Sequence, residues 1–232
     1  SPNFRILAWP QDIPGWPNVT EPVQALASAL EIDEHILLEK LFDVEADEQI
    51  LLSDGIDYDR ALAFFSHPND FPGFVLEFAE RRQYYTGAIP TLSHVLGYTG
   101  PVSAEEYPAL ATQGYRRFDS VGKQGLEAWH EQVLRGQFGE EIVEVDSQGS
   151  SLRVVSRREP VDGQDLTLAL DARLQAYIEV ALEERLRAAP TKRASVVVME
   201  PVSGEILAMV SSPSFDANSF TSGISSEAYN GL

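Results

Sequence analysis

Cysteine is absent from the 232 residues of this chain. Disulfides, thiol nucleophiles and thiolate metal sites are excluded, and the redox compartment is left open. Lysine is scarce: Lys40, Lys123 and Lys192 are the only three, so chemistry that needs a side-chain amine has three positions to choose from. No run approaches the roughly 18 apolar residues that span a bilayer, and no basic stretch followed by an apolar one marks a secretory leader. Positive charge is also in short supply, with 17 basic against 36 acidic side chains and a net charge of −19. Nucleic-acid phosphates and anionic lipid headgroups need clustered Lys and Arg, so neither is an expected partner.

Hydrophobic residues make up 44% of the chain and charged residues 23%, enough for a packed core. The acid is concentrated. Eleven carboxylates lie between Glu31 and Asp59, against Lys40 alone. Such a run reads as a solvated face or as a docking surface for a basic partner. Ser1 opens the chain without Met and Leu232 closes it within unfinished structure, so both ends are expected to be cut points in a longer protein.

Residues 4–9 form an apolar run that predicts a strand, followed by a Pro-rich turn through Pro10, Pro14 and Pro17. Apolar positions Val23, Leu26, Ala27 and Leu30 predict one helix opening at Thr20 or Glu21; Ile36, Leu37, Lys40 and Leu41 predict a second after Asp33. Residues 43–60 read as acidic and turn-rich around Asp54-Gly55, with a helix over 58–66 and a loop at His67-Pro68-Asn69-Asp70. Alternation from Phe74 predicts strands, and 92–98 suits another. Ser103 and Glu106 form a capping-box pattern for a short helix.

A helix is expected over 126–134, closed by Arg135-Gly136, then a hairpin with strands at 141–145 and 152–157 joined by residues 146–150. Residues 165–170 read as a strand, and Asp171 as the cap of a long helix. That helix carries an apolar stripe of Leu174, Tyr177, Ile178, Ala181, Leu182 and Leu186, with Glu179 and its charged neighbours facing solvent. Two runs, 195–199 and 206–210, are apolar on both faces and predict a hairpin sandwiched between layers; the Ser- and Pro-rich tail from Ser211 reads as loop.

Three ordered motifs carry a family resemblance. Gly122-Lys123-Gln124-Gly125-Leu126-Glu127 with Leu134-Arg135-Gly136 and Gly139 resembles the "GLE…LRG..G" pedestal motif of class B penicillin-binding proteins. The stretch 162–171 with Leu174-Gln175 is similar to the family's "G.DL.LTID..LQ" opening of the transpeptidase domain. Residues 200–209, with Pro201 and Gly204, together with 212–216 resemble that domain's first hairpin. Upstream, Arg82, Tyr84, Gly87 and His94-Val95-Leu96-Gly97-Tyr98 resemble "R.YP.G….HVLGY", with Tyr85 in place of the Pro. The wording around HVLGY and GLE leans toward the elongation branch, similar to penicillin-binding protein 2, with the division branch as the alternative.

The resemblance implies an α+β fold. An elongated pedestal of antiparallel strands with a helical head would occupy residues 1–164, the head being about 10–75, and 165–232 would begin a transpeptidase domain. It implies acyl transfer by a Ser in S-x-x-K, completed by S-x-N and K-[ST]-G motifs. Only Ser120-Val121-Gly122-Lys123 fits S-x-x-K, and it precedes the hairpin that the family nucleophile follows; Gly122 also suits a helix poorly. No Lys is followed by Ser/Thr-Gly, and Ser1-Pro2-Asn3 is the sole S-x-N. The expectation is no catalytic residue, cofactor or metal in this chain, and a structural role for its motif residues. In relatives the Glu of GLE pairs with an Arg upstream of this sequence; here Arg82 is the available substitute for Glu127.

Expected partners of the parent are peptidoglycan stem peptides, β-lactams, an MreC-like protein and a SEDS-family glycosyltransferase. Membrane attachment would come through an N-terminal helix outside this sequence, placing the region on the extracytoplasmic side. Other readings are a stand-alone interaction module, a calcium loop at Asp43-x-Glu45-x-Asp47 that lacks the required Gly, histidine metal ligation without i, i+4 spacing, and a glycosidase carboxylate pair.

Overall fold

The computed structural model describes residues 3–67, 70–79, 82–87, 89–145 and 151–221. Ser1-Pro2, Pro68-Asn69 of the expected loop, the 146–150 hairpin turn and the tail beyond Thr221 lie outside the described residues. The chain forms two compact units: Ser1–Arg81 with Glu141–Ser156, and Arg82–Glu140 with Arg157–Leu232. Helices and antiparallel strands are mixed throughout.

In the first unit β1 (Asn3–Ala8) is the middle strand of a three-stranded antiparallel sheet, between β2 (Ile50–Ile56) and β3 (Phe74–Ala79). Three helices cover it: α1 (Thr20–Leu30), α2 (Glu34–Phe42) and α3 (Tyr58–Ser66). The stripe Val23, Leu26, Ala27 and Leu30 is buried as its spacing requires, against Ile6, Leu37, Leu41, Leu52 and Ile56. Asp33 and Asp57 cap α2 and α3 by accepting from His35 N at 2.8 Å and Arg60 N at 2.9 Å. Lys40 reaches back from α2 to donate to the Leu52 carbonyl at 2.7 Å, which explains a cation at an otherwise apolar position.

β2 corrects the turn-rich reading of 43–60. Ile6 faces Ser53 and Phe4 faces Ile56, so Asp54 and Gly55 together oppose Arg5: the turn dipeptide is a β-bulge. Acidic neighbours hid a strand whose inward residues are Leu52 and Ile56.

In the second unit residues 92–98 are not a strand. Pro90–Leu92 make a 3-10 turn, α4 covers Ser93–Leu96, and Gly97 reverses the chain with φ +75°. β4 (Tyr98–Pro101) pairs with β5 (Ser120–Gln124), so Ser120–Lys123 lies in a strand. α5 (Tyr107–Ala111) follows the capping box. The expected 126–134 helix is two, α6 (Gly125–Trp129) and α7 (Glu131–Leu134), broken at His130.

The hairpin forms as β6 (Glu140–Val145) and β7 (Ser151–Arg158). Residues 165–170 form no strand; they are largely exposed and no strand among the described residues lies beside them. They run extended between Gln164, bonded to the Val133 carbonyl, and Asp171, bonded to that of Leu207.

α8 (Ala172–Ala188) packs on β8 (Ala194–Met199) and β9 (Ile206–Ser212) with the expected stripe only partly turned inward: Leu174, Ile178, Ala181 and Leu182 are half-buried, and polar residues of the same face go deeper. Tyr177 is 72% exposed, while Gln175, Glu179 and Leu186 are buried. One face of the hairpin, with Ala208 and Val210, is covered; Val197 and Met199 on the other are exposed, so the sandwich is one-sided among the described residues. No helix of the described residues is long and apolar enough to cross a membrane.

Candidate functional site

The motif residues meet within the second unit. Backbone comes first. A Cβ on Gly97 would lie 1.8 Å from the Gln124 carbonyl oxygen, and one on Gly125 (φ +64°) 2.7 Å from that of Val95. The HVLGY and GLE segments therefore touch main chain to main chain, at a distance only glycine permits. Gly122 is held equally close to the Glu127 carbonyl and Gly136 to that of Val161. Gln137 and Val161 exchange hydrogen bonds of 2.7 and 2.9 Å beside it.

Glu127, 7% exposed, takes Arg82 as its partner: Nε lies 3.0 Å from Oε1 and 3.3 Å from Oε2. Arg82 remains partly in water, so Glu127→Ala is expected to destabilise by about 1–2 kcal/mol rather than by the larger cost of a sealed ion pair. Urea unfolding checks this; an unchanged midpoint would mean that the pair is not structural. Nearby, the buried Tyr84 hydroxyl accepts from Thr99 N at 2.9 Å, and burial raises its pKa. Tyr84 also pairs in both directions with Asn218: Tyr84 N donates to Oδ1 at 2.8 Å and Nδ2 donates to the Tyr84 carbonyl at 3.0 Å.

The Ser120-Val121-Gly122-Lys123 stretch lacks the helical geometry that S-x-x-K chemistry uses. β5 is extended, so Ser120 and Lys123 point to opposite faces about 10 Å apart, and the ammonium is bound to Glu106. That contact, with the Ser103 backbone N–H at 2.9 Å, holds the Glu106 carboxyl below the usual carboxylate range. Ser103 Oγ accepts from Glu106 N at 3.3 Å, which completes the capping box. Arg135 lies 3.4 Å from the Tyr115 ring centroid and donates to the Gly114 carbonyl at 3.1 Å. Tyr115 donates to Glu131 at 2.7 Å, and burial followed by that carboxylate pushes its pKa upward. Glu131 also accepts from Gly122 N at 2.9 Å. Leu126 and Leu134 are half-buried on their short helices.

Asp171 caps α8 through Arg173 N (2.8 Å) and Leu174 N (3.1 Å). One turn on, the Gln175 side chain is fully buried and clips the Met209 peptide. Its Oε1 accepts from Met209 N at 2.8 Å and its Nε2 donates to the Met209 carbonyl at 2.6 Å. Nε2 also reaches Thr91 Oγ1 at 3.3 Å, and Thr91 donates to Glu179 Oε2 at 2.8 Å. Sequence reasoning missed Thr91 and Glu179. The signal was the i, i+4 spacing of Gln175 and Glu179, which puts two hydrogen-bonding groups on one helical face.

His94 Nε2 sits 2.7 Å from the Pro213 carbonyl, its ring edge-on to Phe215 at 5.1 Å, and Tyr98 stacks on Phe220 at 3.9 Å. Pro201 and Gly204 form the exposed β8–β9 turn, where Gly204 has φ +77° and its N–H bonds the Glu200 carbonyl at 2.8 Å. Among the described residues no group of three or more His, Asp and Glu is arranged to hold a metal ion.

The family model described as "Penicillin-binding Protein dimerisation domain" matches residues 1–168. The chain is 39% identical over 166 residues to the peptidoglycan D,D-transpeptidase MrdA of Escherichia coli K12, covering 70% of this chain and 25% of that protein. It is 30% identical over 231 residues to the protein of the same name from Acinetobacter baumannii, covering 100% of this chain and 33% of that one. It thus spans about a quarter to a third of these relatives' length. A solved structure, a complex between penicillin-binding protein 2 and MreC from Helicobacter pylori, matches with a TM-score of 0.72 at 23% identity, over 100% of this chain and 42% of that one; at this identity the likeness shows the fold. The family model's match over more than half of the chain shows that the chain belongs to the penicillin-binding protein dimerisation-domain family.

Proposed function

We propose that this chain is the non-catalytic part of an elongation-type peptidoglycan D,D-transpeptidase, which positions the acyl-transferring domain and docks an MreC-like partner. The parent would be anchored in the bacterial membrane by one helix, with this region outside the cytoplasm. Its substrates would be peptidoglycan stem peptides, with β-lactams as acylating inhibitors and a SEDS-family glycosyltransferase as a further partner. The observation that carries the reading is the set of side-chain clasps between the two groups of motif residues: Thr91 to Gln175 and Glu179, Tyr84 to Asn218, and His94 to Pro213 and Phe215. The first member of each clasp lies within the dimerisation-domain match and the second beyond it. Hydrogen bonds fix orientation because each imposes both distance and angle, and those of Thr91 to Gln175 and Glu179 are buried. They therefore suit a part that holds a downstream domain in place.

The test has two arms. Incubated with a fluorescent penicillin, the chain is expected to remain unlabelled, since its one S-x-x-K sequence is an extended strand. Immobilised, it is expected to bind the soluble region of an MreC protein saturably. Covalent labelling would contradict the non-catalytic assignment; binding no stronger than to an unrelated protein of equal charge would contradict the docking role.

A further inference from the structure

Four large side chains of the first unit stay about half exposed or more: Tyr58 at 55%, Leu62 at 48% and Phe65 at 52% on α3, and Phe78 at 60% on β3. They form one face. Tyr58, Leu62 and Phe65 follow the i, i+4, i+7 spacing of a single helical stripe, apart from the Ala61 and Phe64 side that α3 buries. The rings of Tyr58, Phe65 and Phe78 surround Phe4, with centroids 6.5, 5.6 and 5.2 Å from its own. Phe78 stands directly opposite Phe4 in the β1–β3 ladder, on the sheet face that also carries the fully buried Ile6. The core therefore runs out to the surface at this end of the sheet. A single exposed Leu is ordinary, whereas joined apolar side chains with a polar rim mark an interaction surface.

The rim selects the partner. Asp57 caps α3 and Asp59 flanks the stripe. Arg60, the sole cation of α3, is engaged by Glu31 and Asp57, each at 3.7 Å, and Asp59 has no ion-pair partner among the described residues. Residues 1–81 carry 16 acidic side chains against four basic ones. A second copy would bring two such surfaces together, which like charge opposes, and anionic lipid is repelled in the same way. We propose that the face formed by Tyr58, Leu62, Phe65 and Phe78 docks a basic amphipathic helix of a partner protein. Tyr58 to Phe65 runs about 10 Å along α3, room for two turns of a helix that lays apolar residues at i, i+3 or i+4 and i+7 across it. Its Lys and Arg would meet the acidic rim. The rings packed around Phe4 are already held in place, so little side-chain freedom is lost on binding. The face is built from this unit alone and stands whether or not an MreC-like protein binds.

The experiment titrates the isotope-labelled chain by NMR with a synthetic Leu/Lys peptide, about five turns long, whose leucines share one helical face. One control scrambles the order of the same residues and so has no apolar face; the other keeps the order with Glu for every Lys. The ordered basic peptide is expected to bind saturably, with shifts centred on Tyr58, Leu62, Phe65 and Phe78. Both controls should bind at least about tenfold more weakly. Leu62→Ser should weaken the basic peptide by about tenfold, and Asp59→Lys by about threefold, the latter chiefly at low salt. Both side chains are exposed, so melting curves should show each variant folded at the temperature of the titration. Equal binding of ordered and scrambled peptides, shifts centred on other residues, a Leu62→Ser variant that binds as well as the parent, no saturable binding, or self-association of the chain that Leu62→Ser abolishes would each overturn the proposal.

Discussion

Gly97→Ala is expected to destabilise the second unit by about 2–5 kcal/mol, against about 1–2 kcal/mol for Gly114→Ala. Both positions have positive φ, +75° and +81°, so both substitutions meet the left-handed conformational cost. They differ in space. An added Cβ at Gly114 meets nothing within 4 Å, whereas at Gly97 it would lie 1.8 Å from the Gln124 oxygen and 2.3 Å from its carbon. Backbone cannot swing aside as a flexible side chain would, so the β4–β5 pairing and the start of α6 must shift together. Denaturant unfolding of the two variants separates the terms. Equal losses would mean that the HVLGY and GLE segments are not locked against each other.

Gln175→Leu carries the second large effect. Leucine fills nearly the same volume, so the change removes hydrogen bonds rather than packing. It leaves the Met209 N–H and C=O without the partners they now have at 2.8 and 2.6 Å. An orphaned buried polar group costs about 1–3 kcal/mol, so the expected loss is about 2–5 kcal/mol. Thr91→Val should cost less, because Thr91 holds Gln175 through one longer contact of 3.3 Å and Glu179 through one of 2.8 Å. Because Thr91 touches both side chains, the double variant should lose less than the sum of the single losses. Strict additivity in unfolding would contradict a shared network.

Where periodicity and chemistry agree, the fold was legible. The stripe of α1, the Asp171 cap of α8, the Ser103–Glu106 box and both hairpins follow from local rules that tertiary context does not override. The failures share a cause. Residues 92–98 alternate like a strand, but Pro90 opens a 3-10 turn and Gly97 reverses the chain, so the segment closes as a helical turn. Asp54-Gly55 has turn chemistry, which a β-bulge uses equally well. Residues 165–170 alternate but find no strand beside them among the described residues, and pattern alone cannot supply a neighbour.

The site was legible in its glycines and in the Glu127 motif, because the spacing of those residues can be matched as a pattern. Glu179 was not. A carboxylate on a helix otherwise rich in charge looks like solvent face until Thr91, 88 residues away in sequence, is placed against it. Asn218 was hidden in the same way, its partner Tyr84 being 134 residues distant.

The central proposal is that side-chain clasps in the second unit fix the orientation of an acyl-transferring domain in the proposed parent protein. It is tested most directly by the acylation rate of the full-length protein with a fluorescent penicillin, measured for Gln175→Leu at a temperature where the variant remains folded. A displacement of about 1 Å at a reacting centre costs around a hundredfold in rate, so a decrease of roughly tenfold to a hundredfold is predicted. A variant that is folded, less stable and acylated at the parent rate would show that the clip supports the fold without positioning the chemistry.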